Sequence, residues 1–273
     1  MPNSMLPLVQ THVSVDWLYA NSNLEQLVVL DATINKVVSS SSVRIPKARF
    51  FDIKQKFSTV SAPFPSTLPS KDQFEKEAQL LGLNKDAVIV VYDDKGIYSS
   101  ARVWWLFKVF GFQNVAVLDG GLPEWRVQNF PLEHYQEETY PLGNFEADFK
   151  SELMTDFKGI QAFQNQPEAL IIDARSEDRF HCRVDEPREG LRRGTIPSSK
   201  NLPYTILLNG YKLKPKAELQ EIFATLVDTQ SVLVFSCGSG ITACIVALAA
   251  TICNYKNLVV YDGSWTEYGS LTS

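Results

Sequence analysis

The most restrictive feature of this sequence is that it carries one pattern twice. The apolar run over 27–32 ends in Asp31-Ala32, and the run over 170–174 ends in Asp173-Ala174. The stretch 43–51, with its Ile45-Pro46 turn, returns as 194–202 with Ile196-Pro197. Residues 88–94 run onto 231–237 without a gap, which sets Asp94 opposite Cys237, and Asp119-Gly120 runs onto Asp262-Gly263. Chance does not keep both the order of elements and the turn dipeptides, so the chain reads as two copies of one unit. Strand-like and helix-like segments alternate in each copy, which predicts an α/β fold: two tandem domains, each a parallel β-sheet flanked by helices. At 273 residues each copy is long enough to bury its own core. The domains are expected over 1–135 and 149–273, with a polar linker over 136–148.

Local signals fill in this frame. Ser14 is a plausible N-cap for a short helix carrying Trp17 and Leu18. The spacing of Phe74, Ala78 and Leu81 predicts an amphipathic helix over 71–81. A strand over 87–92, a helix over 99–110 and a strand over 115–118 follow. Pro63, Pro65 and Pro69 mark a surface loop.

Composition excludes several function classes. The net charge is −5 and no basic block exceeds Arg192-Arg193, which argues against nucleic-acid binding. No apolar stretch is long enough to span a bilayer, and residues 1–20 lack the charged start of a signal peptide, so no membrane partner and a cytoplasmic location are expected. Cys182, Cys237, Cys244 and Cys253 have no metal-ligand spacing, and neither a metal nor a cofactor is implied.

The chemistry concentrates at Cys237. The apolar run Ser231-Val232-Leu233-Val234-Phe235-Ser236 reads as a buried strand, and the segment after Gly240 as a buried helix. Cys237 therefore sits on a strand-to-helix turn, where open α/β sheets place their ligands. Gly238 and Gly240 let the backbone curl so that several N–H groups converge, and the helix start adds positive potential. Both effects favour a thiolate nucleophile. Cys244 and Cys253 lie inside the apolar helix and read as core residues.

The loop Cys237-Gly238-Ser239-Gly240-Ile241-Thr242 resembles the active-site loop of the rhodanese superfamily, in its 3-mercaptopyruvate sulfurtransferase branch. The tandem repeat, Ser100-Ala101-Arg102-Val103-Trp104-Trp105 and Tyr261-Asp262-Gly263-Ser264-Trp265 extend the resemblance over nearly the whole chain. It implies that Cys237 carries a persulfide and that pyruvate leaves. A thiol such as thioredoxin, or cyanide, then accepts the sulfur. The first domain, with a carboxylate opposite the cysteine, is catalytically silent. The resemblance implies that Arg179 and Arg188 grip the substrate's carboxylate and carbonyl, for which guanidinium forks are suited. Gly238, Gly240, Ile241 and Thr242 are the loop residues that meet substrate, with Thr242 also read as a helix cap. Ser239 is read as a catalytic hydrogen-bond donor, a turn bond within the loop being its alternative. Arg175 is expected to pair with Asp178 or elsewhere in its loop, and His181 to face solvent.

This sequence departs from the family pattern in the first domain. Family members carry a His-Ile-Pro-Gly segment and often Pro-His-Met-Leu-Pro, and a histidine and an aspartate are proposed to work with the loop hydroxyl. Here the segments read Arg44-Ile45-Pro46-Lys47 and Pro65-Ser66-Thr67-Leu68-Pro69. Arg44 is then either a positive charge at the site or a surface residue. Thiosulfate is the alternative donor, but thiosulfate-selective rhodaneses resemble one another in basic residues after the cysteine, where Gly238 and Ser239 are neutral. A phosphatase of related fold would need a loop ending in arginine, and Ala243 stands there. A non-catalytic sulfur-binding module is the remaining alternative.

Overall fold

The structure is a computed structural model and describes residues 10–136, 138–229 and 231–273. The start of the stretch read for a signal peptide, residues 1–9, lies outside the described residues. The chain divides into two compact units. The first runs through Thr59 and adds Pro69–Phe149 and Gly210–Lys212; the second contains Val60–Leu68, Lys150–Asn209 and Leu213–Ser273.

In the first unit the elements are β1 (His12–Val13), α1 (Val15–Asn21), β2 (Leu27–Asp31), β3 (Val43–Arg44), β4 (Arg49–Phe50), α2 (Lys71–Leu80), β5 (Val88–Tyr92), α3 (Ser100–Val109), β6 (Val115–Leu118), α4 (Gly121–Val127) and β7 (Glu133–His134). The parallel sheet has the order β1-β6-β5-β2-β4. All five residues of β5 are buried, as a strand covered on both faces requires. Ser14 caps α1, its hydroxyl accepting the Trp17 N–H at 3.1 Å.

The second unit repeats this order. It holds β8 (Met154–Thr155), α5 (Phe157–Phe163), β9 (Ala169–Asp173), α6 (Glu177–Phe180), β10 (Lys200–Asn201), β11 (Leu208–Asn209), Leu213 of β12 (Lys212–Leu213), α7 (Lys216–Ala224), β13 (Val232–Ser236), α8 (Ala243–Ile252), β14 (Asn257–Tyr261) and α9 (Ser264–Leu271). Its sheet runs β8-β14-β13-β9-β10, also parallel, the same order as in the first unit. Ala243 through Ala250 are all buried, so α8 is a core helix without a polar face.

The stretch expected as a linker packs against the first unit. Gly143 donates to Gln79 O at 2.9 Å, Phe145 to Leu83 O at 3.1 Å and Asp148 to Phe110 O at 3.0 Å. Phe145 is fully buried against Phe74, Phe107 and Phe112. Among the described residues no helix is long and apolar enough to cross a membrane.

Candidate active site

Cys237 follows the last residue of β13, at the carboxyl edge of the second sheet, and is 1% exposed. The chain must turn at once to begin α8, and Gly240 supplies the turn with φ +74°. Helix α9 grips this loop from the side. Trp265 N–H donates to Cys237 O at 3.0 Å, and the Thr266 N–H and hydroxyl donate to Gly238 O at 2.9 and 2.5 Å. Ser264 Oγ accepts the N–H groups of Cys237 and Gly240, each at 3.1 Å, and lies 3.9 Å from Cys237 Sγ. Ser239 and Thr242 are half-buried and Ile241 is buried in the same loop. Thr242 stands at the N-cap of α8 but makes no side-chain cap bond, because its backbone is already helical. The other cysteines differ in kind. The Cys244 thiol donates to Gly240 O at 3.3 Å inside the core, burial pushes the Cys253 thiol up, and Cys182 is exposed at φ +60°.

The first unit corrects one correspondence. Asp31 pairs with Tyr92 across β2 and β5, and Asp173 pairs with Ser236 across β9 and β13. The residue opposite Cys237 is therefore Asp93, not Asp94. Leu122 N–H donates to Asp93 O at 3.0 Å, just as Trp265 does to Cys237 O. The sequence alignment slipped by one because the second strand ends in Ser236, while its counterpart Tyr92 looks like any apolar strand residue. The Asp93 carboxylate accepts N–H groups from Lys95 at 2.9 Å and from Tyr98 and Ser100 at 2.8 Å. Counting from Cys237, the corresponding N–H groups belong to Ser239, Thr242 and Cys244. Asp94 is exposed at the rim, its carboxyl raised by partial burial and by Asp93.

Two arginines lie along the same edge of the second sheet. Arg175 is fully buried, bonded through Nε and Nη2 to Asp173 and through Nη1 to Glu186 Oε1 at 2.8 Å. It does not pair with Asp178, which is exposed and bonds Arg183 at 2.8 Å. Burial works against both Arg175 and Asp173; contact with Asp173 and Glu186 nonetheless raises the arginine, whereas the Asp173 carboxyl remains raised despite Arg175. Arg179 leaves α6, whose first turn Ser176 caps. Glu186 takes its Nη2 at 2.5 Å and its Nε at 3.3 Å. A methyl group built on Gly238 would lie 2.9 Å from Arg179 Nη2, so the guanidinium rests against the residue after the cysteine. Arg188, two residues beyond Glu186, is exposed, as is His181.

Arg44 is neither a free charge nor a surface residue. It is 2% exposed, bonds Glu133 at 2.8 Å, Glu138 and the Ala48 carbonyl, and lies 4.9 Å from the Tyr135 ring centre. It ties the Ile45-Pro46 turn to the segment beyond β7. The counterpart of Pro-His-Met-Leu-Pro lies elsewhere: Val60–Leu68 belongs to the second unit, where Leu68 N–H donates to Asp262 Oδ2 at 2.7 Å. Asp262 is two residues before Ser264, which puts this segment beside the turn that grips the Cys237 loop. Sequence reasoning missed three participants here: Ser264, Glu186 and the placement of 60–68. The repeat did hold a signal for the first, because Asp119-Gly120-Gly121 becomes Asp262-Gly263-Ser264.

Comparison with known proteins agrees with this geometry. The rhodanese-like domain model matches residues 14–128 and again 157–271. The chain is 36% identical over 267 residues to 3-mercaptopyruvate sulfurtransferase of Escherichia coli K12, covering 94% of both proteins. It is 35% identical to the mitochondrial thiosulfate/3-mercaptopyruvate sulfurtransferase 1 of Arabidopsis thaliana, covering 94% of this chain and 76% of that one. The crystal structure of SseA from Escherichia coli superposes with a TM-score of 0.82 at 33% identity, over 94% of this chain and 99% of that one. Both halves, with the same strand order and the same strand-to-helix loop, place the chain in one family: it belongs to the rhodanese family, as two rhodanese-like domains in tandem.

Proposed function

We propose that this chain is a sulfurtransferase that moves sulfur from 3-mercaptopyruvate through a persulfide on Cys237 to a thiol acceptor, thioredoxin being one, or to cyanide. The Cys237 thiolate attacks the mercapto sulfur, forming the S–S bond as the carbon–sulfur bond breaks. The electron pair goes to the methylene carbon, and a proton taken up there gives pyruvate. An acceptor thiolate then attacks the outer sulfur and releases Cys237. The observation that carries this reading is the pair of equivalent loops. The first unit holds an anion, the Asp93 carboxylate, on three backbone N–H groups, and Cys237 stands at the equivalent position, where Ser239 and Thr242 carry the counterparts of two of them and the third, from Cys244, goes to Ile241 O at 3.2 Å. Asp93 has no sulfur to exchange, so the first domain is silent.

Arg179 supplies the carboxylate-binding charge beside the loop. Glu186 takes the Nε proton and one Nη2 proton, so the second Nη2 proton and the two on Nη1 remain for a substrate carboxylate. Arg188 completes the grip from the exposed part of the same loop, and Ser239 donates toward the reacting sulfur or carbonyl. Gly238, Gly240, Ile241 and Thr242 form the floor on which the substrate rests. Thiosulfate is a second reading, favoured by Arg179, whose guanidinium at Gly238 offers a small dianion the charge that Gly238 and Ser239 lack. A reducing compartment such as the cytoplasm suits a free thiol nucleophile.

Intact-mass measurement after treatment with 3-mercaptopyruvate tests the proposal. One added sulfur atom is expected on the wild type, mapped to Cys237, and none on Cys237→Ser. Sulfur mapped to Cys182 would overturn the assignment, and loading by thiosulfate alone would overturn the choice of donor.

A further inference from the structure

We propose that Ser264 is a positioning residue that readies Cys237 as a thiolate, an inference that rests on the reading of Cys237 as nucleophile. Ser264 is fully buried and holds φ at +50°, a left-handed backbone that glycine adopts without strain and serine does not. The first unit shows what the backbone alone prefers. Its counterpart, Gly121, has φ +51°, and a Cβ there would lie 2.5 Å from the carbonyl oxygens of both Asp93 and Gly96. Without a side chain the silent loop closes onto this turn. In the second unit the serine side chain occupies the corresponding space and is met by the N–H groups of Cys237 and Gly240, each at 3.1 Å. The serine therefore keeps a strained backbone in order to bring a hydroxyl under the cysteine.

The count of hydrogen bonds defines what that hydroxyl does. Both acceptor sites of Ser264 Oγ are filled by the two N–H groups, and its single proton has two acceptors within reach: Tyr261 O at 2.9 Å and Cys237 Sγ at 3.9 Å. With a thiol at Cys237 the proton rests on the Tyr261 carbonyl. When the thiolate forms, rotation about the Cβ–Oγ bond turns the proton to sulfur, and the two N–H groups already held by the oxygen strengthen the bond it gives. Burial of both residues limits competition from water. The same hydroxyl fixes the first and fourth residues of the loop, so it sets the sulfur's position as well as its charge.

The test is the rate of iodoacetamide alkylation against pH, with the label located by peptide mass, for the wild type, Ser264→Ala and Ser264→Gly. Glycine relieves the backbone strain and guards against a variant that only fails to fold. Both variants are expected to alkylate about tenfold more slowly at neutral pH, the loss of one hydrogen bond to a charged group, and to regain the wild-type rate in alkali. Wild-type profiles in both variants, with the label on Cys237, would overturn the role of Ser264 and leave the nucleophile standing. A shift in Ser264→Ala alone would also overturn it, since neither variant has the hydroxyl. A wild-type label on another cysteine would overturn both readings.

Discussion

Glu186 holds Arg179 by two nitrogens while its own side chain is 1% exposed, so a buried carboxylate fixes the guanidinium that lies against Gly238. The same carboxylate also takes Arg175, which is anchored to Asp173. Two cations and two carboxylates thus balance at the edge of the second sheet, and Arg179, with 24% of its side chain exposed, is the member of the four that reaches solvent. A buried pair of this kind is weak evidence for stability but holds geometry well.

Replacing Glu186 with Gln should therefore act on substrate binding through Arg179. Loss of a charge-assisted bond is expected to cost about 1.5–3 kcal/mol, roughly a ten- to hundredfold fall in kcat/KM for 3-mercaptopyruvate, carried mainly by KM. Arg179→Ala and Arg188→Ala should raise KM in the same direction. Steady-state kinetics of the three variants decide this, and an unchanged KM in Glu186→Gln would mean that the carboxylate does not hold Arg179 for substrate.

Asp93 makes a prediction about stability rather than activity. Asp93→Ala would strip the acceptor from the N–H groups of Lys95, Tyr98 and Ser100 in a partly buried loop, at a cost of about 2–3 kcal/mol. Urea denaturation should show the loss, with kcat per folded molecule retained. A variant as stable as the wild type would show that the cradle does not need an anion.

Apolar patterning made much of this fold legible. The runs at β2, β5, β9 and β13 and the core helix α8 were evident because buried parallel strands and core helices leave continuous apolar stretches. The strand-to-helix turn that carries Cys237 was evident because glycines and an apolar helical run followed it. What the sequence could not display depends on pairing across distance. The register that equates Cys237 with Asp93 is a property of hydrogen bonds between strands, and spacing alone chose Asp94. The transfer of Val60–Leu68 to the second unit leaves no periodic trace. Arg44 looked like a solvated loop cation because its partners, Glu133 and Glu138, lie about ninety residues away.

Those partners make Arg44 a matter of stability and of pH. Arg44→Ala would remove the bonds to Glu133, Glu138 and the Ala48 carbonyl and is expected to lower the stability by about 2–4 kcal/mol, less than for a fully buried pair because the two glutamates are partly exposed. The Arg44 hydrogen bond holds the Glu138 carboxyl below its ordinary value. A depressed carboxylate contributes stability that is present above its unfolded value of about 4.3 and is lost as pH falls through the lower, folded value. The gap in Tm between wild type and Arg44→Ala should accordingly narrow below that range. A gap that stays constant into acid would assign the arginine's contribution to Ala48 and Tyr135 instead. Arg44→His should not raise turnover, because the position faces two carboxylates and a tyrosine ring.

The place to restore an imidazole is Ser66. The family segment Pro-His-Met-Leu-Pro aligns its histidine with this residue, and Val60–Leu68 belongs to the unit that carries Cys237. Leu68 is bonded to Asp262, and Asp262 stands two residues before the serine that touches the cysteine. Ser66 holds φ +60°, a conformation that histidine tolerates better than most side chains. Pyruvate leaves as an enolate and needs a proton at its methylene carbon, which an imidazolium near the loop can supply. Ser66→His should then raise kcat with 3-mercaptopyruvate and add an inflection to its pH profile near the histidine value of about 6.5. The added limb should fall as pH rises, since the protonated ring is the donor. A profile identical to that of the wild type would place residue 66 outside the proton's path and leave water or Ser239 as the source.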